Sequence, residues 1–192
     1  MVLVAMLRHG DTAWSAEGRI QGRADVALSD AGRERLRAFH LPQACAGMRV
    51  VTSPLARCVE TAALIGAPHA EREPRLVEMS WGAWQGRRLA ELRAELGAAM
   101  ADNEARGWDF RPADGETPRE VLARLASWLA VVAASECATL AVTHRGVIRA
   151  AFAAASGWDL RGKPPAKLDW SAVQLFRLAG DGALTIEALN LR

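Results

Sequence analysis

Four positions far apart in the chain carry residue types that suit one reaction. Arg8 and His9 stand together in Arg8-His9-Gly10, Arg57 lies three residues beyond Ser53-Pro54, and His144 opens His144-Arg145-Gly146. Two arginines and two histidines pack poorly against one another, yet together they suit a tetrahedral dianion. A planar guanidinium donates paired hydrogen bonds to phosphate oxygens, each charge-assisted bond contributing about 1.5–3 kcal/mol. Beside such a group, an uncharged imidazole can attack phosphorus in line with the leaving oxygen, giving a phosphohistidine that water then hydrolyses. Neighbouring guanidinium charges favour the neutral ring. The leaving alkoxide needs a proton. The candidate donor is Glu78, which follows an expected strand in Arg75-Leu76-Val77-Glu78-Met79-Ser80-Trp81, among apolar and aromatic residues that raise a carboxyl pKa. Its alternative is an ordinary solvated glutamate, and His9 taken alone equally reads as a structural or surface histidine.

These residues can meet only if the elements before them end at one place. The apolar run Val2 to Leu7 predicts a strand buried on both faces, ending at Arg8-His9-Gly10. Arg49 to Thr52 predicts a second strand, followed by Ser53 as cap and Pro54 at the first position of a helix reaching Ile65. That start places Arg57 in the helix's first turn, where free N–H groups favour an anion. Ala138 to Thr143 predicts a third strand, leading through His144 into a helix over Val147 to Ala155, closed by Gly157. Further helices are expected over Ser29 to His40, Leu89 to Met100 and Thr117 to Ser135. The last has a capping box, Thr117-Pro118-Arg119-Glu120, and a buried stripe of Leu122, Leu125, Leu129 and Val132. Ala172 to Leu178 and Leu184 to Leu189, flanking Gly180-Asp181-Gly182, predict an antiparallel edge hairpin. The expected fold class is α/β: a three-layer sandwich with a mostly parallel central sheet flanked by helices and an antiparallel hairpin near the C-terminus. Such folds bind ligands beyond the carboxyl ends of their strands, where Arg8, His9, Ser53, Arg57 and His144 fall.

At 192 residues, with 51% hydrophobic and 24% charged, the chain reads as one domain over 1–192, with a small lid-like insertion around 87–114. A net charge of +2 is too small for a general nucleic-acid or membrane footprint, so any anion preference is local. Cys45, Cys58 and Cys137 fit neither a disulfide framework nor a zinc ribbon, no apolar run reaches bilayer length, and no signal segment precedes Arg8. The expected compartment is the cytoplasm.

The chain resembles the histidine phosphatase superfamily, also called phosphoglycerate mutase-like, and within it the small-phosphatase branch that includes α-ribazole phosphatases. The resemblance rests on Leu7-Arg8-His9-Gly10-Asp11-Thr12, Gly18-Arg19-Ile20-Gln21-Gly22, Leu28-Ser29-Asp30-Ala31-Gly32, Ser53-Pro54-Leu55-Ala56-Arg57, Val77-Glu78-Met79, Gly115-Glu116-Thr117 and Val142-Thr143-His144. It implies that His9 is the phosphorylated nucleophile, that Arg8, Arg57 and His144 bind the phosphoryl group, and that Glu78 donates the proton. It also implies that no metal or organic cofactor is needed. Three positions depart from the family pattern: Ser15 replaces an asparagine that touches phosphate, Arg145 intervenes between His144 and Gly146, and Asp11 replaces a glutamate. Arg145 either adds charge at the rim or points to solvent. Ser15, Gln21, Arg145, Trp81 and Trp108 are the candidate substrate-side residues, with Trp84 and Phe110 as further aromatic candidates. Packing is the alternative for the aromatic rings, and Trp14, Trp158 and Trp170 are expected to be structural.

The expected activity is hydrolysis of a small phosphomonoester, because the modest insertion and the close of the chain at Arg192 leave the site thinly covered. Mutase-type transfer, which must shield its phosphohistidine from water, is one alternative. A metal-dependent hydrolase built on His9, Asp11 and His144 is another, opposed by the adjacent arginines. A non-catalytic phospho-ligand-binding module is a third. A homodimer through exposed strand edges is compatible with all of them.

Overall fold

The run Val2 to Leu7 is apolar without alternation because it lies inside a sheet with layers on both faces. In the computed structural model, which describes residues 1–192, it forms β1 (Val2–Arg8). Five more strands complete the sheet: β2 (Arg49–Thr52), β3 (Glu71–Arg72), β4 (Thr139–Thr143), β5 (Val173–Leu178) and β6 (Leu184–Leu191). Their order is β3-β2-β4-β1-β5-β6, with β3, β2, β4 and β1 parallel and β5 and β6 antiparallel. The expected α/β class, parallel core and C-terminal edge hairpin are all present.

Seven helices surround the sheet: α1 (Ala13–Ala16), α2 (Asp30–Arg37), α3 (Ala56–Leu64), α4 (Leu89–Leu96), α5 (Ala98–Glu104), α6 (Pro118–Ser135) and α7 (Arg145–Ser156). Side chains alternate along β1. Val4 and Met6 join the main core with Leu125 and Leu129 of α6 and Ile148 and Phe152 of α7. Ala5 and Leu7 face the other way, toward Cys45 and Phe39, and Cys58 and Ala62 of α3 pack on Val142. The segment around α4 and α5 has its own small apolar cluster of Trp84, Leu92 and Met100, with Ile20 and Phe110 against it.

Register brings the strand ends level. Arg8 pairs with Thr143 and Thr52 with Val142, so His9, Ser53 and His144 are the next residues out on three neighbouring strands. The His9 N–H still donates to Thr143 O at 2.9 Å, and the Ser53 N–H to Val142 O at 2.9 Å. The backbone therefore fixes these positions before any side-chain contact is made.

Several boundaries differ from the sequence reading. Helix α3 starts at Ala56, two residues later than expected; its cap position is Leu55, which has no polar side chain to make a cap bond, and the Ser53 hydroxyl lies 2.7 Å from His144 Nε2. The single helix expected over Leu89 to Met100 is split at Gly97, whose φ of +51° ends α4 and starts α5. A 3-10 turn, Pro74–Leu76, replaces the strand expected before Glu78. In α6 the buried stripe runs through Val121 and Trp128, and Leu122 is only partly covered. The capping box is as read: Thr117 Oγ1 accepts from Glu120 N at 3.1 Å, and Glu120 Oε2 from Thr117 N at 2.8 Å. None of the helices is long and apolar enough to cross a membrane.

One glycine sets how closely α2 approaches the loop after β1. The Gly32 N–H donates to Ser29 Oγ at 3.1 Å, and a Cβ on Gly32 would lie 2.2 Å from the Asp11 carbonyl oxygen, a backbone atom that cannot swing aside. Gly32→Ala is expected to destabilise the protein by roughly 1–3 kcal/mol through this overpacking. Urea unfolding measures it, and an unchanged midpoint and slope would contradict the close approach.

Candidate active site

At the end of β1, His9 is almost fully buried and its Nδ1 lies 2.7 Å from its neighbour's carbonyl, Gly10 O. A carbonyl only accepts, so Nδ1 carries the proton and Nε2 holds the lone pair. Nε2 has no partner in the protein and is not sealed off among the buried unpaired atoms. Burial, reinforced by the charges of Arg8 and then Arg57, holds the ring's pKa well below the usual histidine range. Gly10 in turn is fixed from α3, its N–H donating to Thr61 Oγ1 at 3.0 Å while Thr61 donates to Arg57 O at 2.7 Å.

Arg57, on the first turn of α3, is completely buried. Its Nη1 donates to Ala24 O at 2.7 Å and its Nη2 to Gly22 O at 2.8 Å, so the loop over residues 18–25 wraps the guanidinium with backbone oxygens. Asp25 secures that loop to the helix, accepting from Ala56 N at 2.8 Å. Nη2 also reaches His144 Nδ1 at 3.3 Å, and Arg57 Nε is left buried with no partner. His144 therefore accepts at Nδ1 and donates from Nε2 to Ser53 Oγ, 2.7 Å away. Burial first, then the neighbouring His9 ring and the Arg57 guanidinium, hold its pKa well below the usual histidine range. The two imidazoles meet edge to face with centroids 5.2 Å apart.

Glu78 approaches from the loop after the 3-10 turn and is buried. Its Oε1 accepts from Met79 N at 2.8 Å and Gly146 N at 3.1 Å, and its Oε2 from Gly146 N at 3.3 Å. Burial pushes the carboxyl pKa up, only partly countered by those N–H groups and by Arg57 and Arg124. The solvated alternative for Glu78 is thereby excluded. Gly146 is required where it stands: a Cβ there would lie 2.4 Å from Glu78 Oε1.

A cavity of about 660 Å³ opens over this group, lined among others by Arg8, His9, Gln21, Glu78, Trp81 and Arg145. A wider groove of about 1040 Å³ shares Arg8, His9, Asp11 and Trp170 with it but does not include Glu78. The smaller cavity is the one in which a nucleophile and an acid face the same space. Arg57 and His144 lie one layer beneath its surface. Of the substrate-side candidates, Gln21 lines the cavity with Oε1 buried and unpaired, and Trp81 and Phe110 line it in edge-to-face contact, 5.7 Å between centroids. Trp108 does not reach the cavity; the 3-10 turn Gly107–Asp109 turns it onto the main core, and Phe110 takes its place. Trp84 is likewise core. Ser15 borders the cavity, but its hydroxyl is used within the turn of α1, accepting from Thr12 N at 2.9 Å and lying 2.9 Å from Thr12 O. Asp11 bridges Arg8, at 3.5 Å, and Arg35. No three His, Cys, Asp or Glu side chains converge as a metal site would require, so His9, Asp11 and His144 do not form one.

Trp158 and Trp170, expected to be structural, sit beneath Arg149 and Arg145. Sequence reasoning missed Arg149 altogether, although its spacing of four from Arg145 carried the signal that the two share a helix face.

The family model for the histidine phosphatase superfamily, branch 1, matches residues 4–191. The chain belongs to the histidine phosphatase superfamily. Phosphoglycerate mutase-like protein 4 of Arabidopsis thaliana is 31% identical over 96% of this chain and 83% of its own length. Glucosyl-3-phosphoglycerate phosphatase of Mycolicibacterium vanbaalenii is 32% identical over 80% of this chain and 74% of its own. The solved structure of mycobacterial glucosyl-3-phosphoglycerate phosphatase with VO3 superposes with a TM-score of 0.80 at 25% identity, covering all of both chains. This histidine phosphatase is thus a hydrolase by family.

The buried imidazoles also make its stability depend on pH. His9 and His144 have folded pKa values below the unfolded value of about 6.5, so their contribution is complete above that pH and is lost as pH falls through the window below it. Urea stability is expected to drop from neutral pH toward pH 5, and His9→Gln to make that drop shallower. An identical slope in wild type and variant would contradict a neutral, buried His9.

Proposed function

We propose that this histidine phosphatase hydrolyses phosphomonoesters through a phosphohistidine formed on Nε2 of His9. The observation that carries the proposal is the 2.7 Å bond from Nδ1 to Gly10 O, which leaves Nε2 as an unpaired lone pair on a residue that lines the cavity. Nε2 forms a bond to phosphorus as the ester P–O bond breaks, and Glu78, whose protonated form burial favours, gives its proton to the departing oxygen. Water then attacks phosphorus, the P–N bond breaks, and the Glu78 carboxylate takes the water's proton. Inorganic phosphate and the alcohol leave.

Arg8 and Arg57, with His144, hold the phosphoryl oxygens. Their charges take the place that magnesium occupies in other phosphoryl-transfer enzymes, so neither a metal ion nor an organic cofactor takes part. The unpaired Nε of Arg57 supports this assignment, since a buried N–H without a partner is unfavourable by about 1–3 kcal/mol until an acceptor arrives. The whole chain acts as one domain, and the segment over 87–114 covers the cavity through Leu89, Arg93, Glu104, Gly107 and Phe110. The absence of disulfides, with Cys45, Cys58 and Cys137 all free, fits a reducing compartment such as the cytoplasm.

The test is leaving-group dependence. His9→Ala is expected to show no turnover and no acid-labile phosphate on the protein. Glu78→Gln is expected to lose about 10²–10⁴-fold in kcat on an alkyl phosphate but far less on p-nitrophenyl phosphate, whose phenolate departs without a proton. Turnover surviving in His9→Ala, or equal losses of Glu78→Gln on both esters, would overturn the assignment. Interconversion of 3- and 2-phosphoglycerate with little phosphate release would make the protein a mutase.

A further inference from the structure

The reaction uses Arg8, His9, Arg57, Glu78 and His144 and leaves two cations of the same cavity without a task. Arg145 and Arg149 both line it. The other charged side chains there are committed: Arg8 to Asp11, Arg19 to Glu17 and Arg93 to Glu104, while Glu78 accepts from the backbone N–H groups of Met79 and Gly146. Neither Arg145 nor Arg149 has a carboxylate within ion-pair distance. Each instead lies over an indole, with Arg145 Cζ 4.7 Å from the centre of the Trp170 ring and Arg149 Cζ 4.9 Å from that of Trp158.

Stacking occupies the face of a guanidinium and leaves its in-plane N–H edge free to donate. One of the platforms is itself held. Trp158 is set edge to face on Phe152, 6.3 Å between centroids, and its Nε1 donates to Arg161 O at 2.8 Å. Four residues apart on α7, the two arginines share one helix face about 6 Å apart along the axis, where like charges repel when nothing lies between them. Two exposed cations, each held on an indole and without a carboxylate partner, stand at the cavity wall with their N–H edges available to an anion that enters it. The cavity, about 660 Å³, also holds far more than a phosphoryl group.

We propose that Arg145 and Arg149 form a second anion subsite, so that the preferred substrate is a phosphomonoester with a further carboxylate or phosphate on its leaving group. This inference rests on the phosphomonoesterase reading above. Trp158 and Trp170 are positioning residues for it, since they act through the arginines.

Two matched pairs test it. 3-Phosphoglycerate and glycerol 3-phosphate differ only by a carboxylate in place of a hydroxymethyl group; 1,3-propanediol bisphosphate and 3-hydroxypropyl phosphate differ by a second phosphate. Wild type is expected to favour the anion-bearing member of at least one pair by tenfold or more in kcat/KM, and the favoured pair identifies which anion is recognised. The double variant Arg145→Gln/Arg149→Gln is expected to bring that ratio to within about threefold of one, and Arg149→Lys to retain part of it. No preference in wild type for either pair, or losses that lower both members equally, would overturn the subsite. Calorimetric binding of the same pairs to His9→Ala, with and without the two Gln substitutions, separates this inference from the reaction on which it rests. Charge-selective binding without any turnover would sink only the phosphomonoesterase reading, and turnover with uniform affinity would sink only the subsite.

Discussion

The burial of one guanidinium organises this protein. Arg57 is wholly enclosed and has no carboxylate within ion-pair distance; its nearest partners are the carbonyl oxygens of Gly22 and Ala24 and the lone pair of His144. Enclosing an ion leaves an effective penalty of several kcal/mol, and dipoles alone offset only part of it. Much of the surrounding architecture follows from that requirement. The loop over 18–25 folds inward so that its carbonyls reach the ion, Asp25 pins the loop to the start of α3, and Thr61 links the helix to Gly10. The same charge, second to burial and to Arg8, keeps His9 unprotonated. A cation that would be awkward in an ordinary core thus prepares a nucleophile and leaves an N–H without a partner at the same point.

The acid is prepared by the opposite logic. Glu78 lies where burial favours its neutral form, and the Gly146 N–H fixes its orientation. The tight approach of Gly146 explains why this chain tolerates Arg145 beside His144: the glycine needed for contact with the carboxyl is one position further on, and the position before it is released to face the cavity. Imidazole and carboxyl, each pushed by burial toward its neutral form, then line one space.

Much of this was legible in the sequence, and the exceptions have physical reasons. The three strands carrying His9, Ser53 and His144 announce themselves as apolar runs ending in polar turns, and the capping box at Thr117 marks the start of α6 to the residue. The placement of Glu78 also followed from its apolar neighbours, although a 3-10 turn and not a strand delivers it. What could not be read was the competition for single groups. Ser53 has the residue type of a helix cap, but His144 takes its hydroxyl, and the helix starts later. Ser15 is a candidate substrate-side residue by position and borders the cavity, but its hydroxyl is bonded within the turn of α1. Trp108 and Phe110 were equivalent as aromatic candidates, and only a 3-10 turn decides which one faces the cavity. Helix α1 and strand β3, with four and two residues, are too short to carry periodicity. The stacking of Arg145 and Arg149 depends on a loop over 157–170 that brings two tryptophans back over α7, a long-range placement that no local pattern encodes.

The protonation state of His9 is the most direct point of contact between this account and experiment. With ¹⁵N-labelled histidine and His9→Gln to assign the signal, the ring nitrogens of the folded protein can be followed by NMR from pH 7 to pH 5. The account predicts a neutral ring throughout, with the proton on Nδ1 and an unprotonated Nε2. An imidazolium in that range, or a neutral ring with its proton on Nε2, would contradict it.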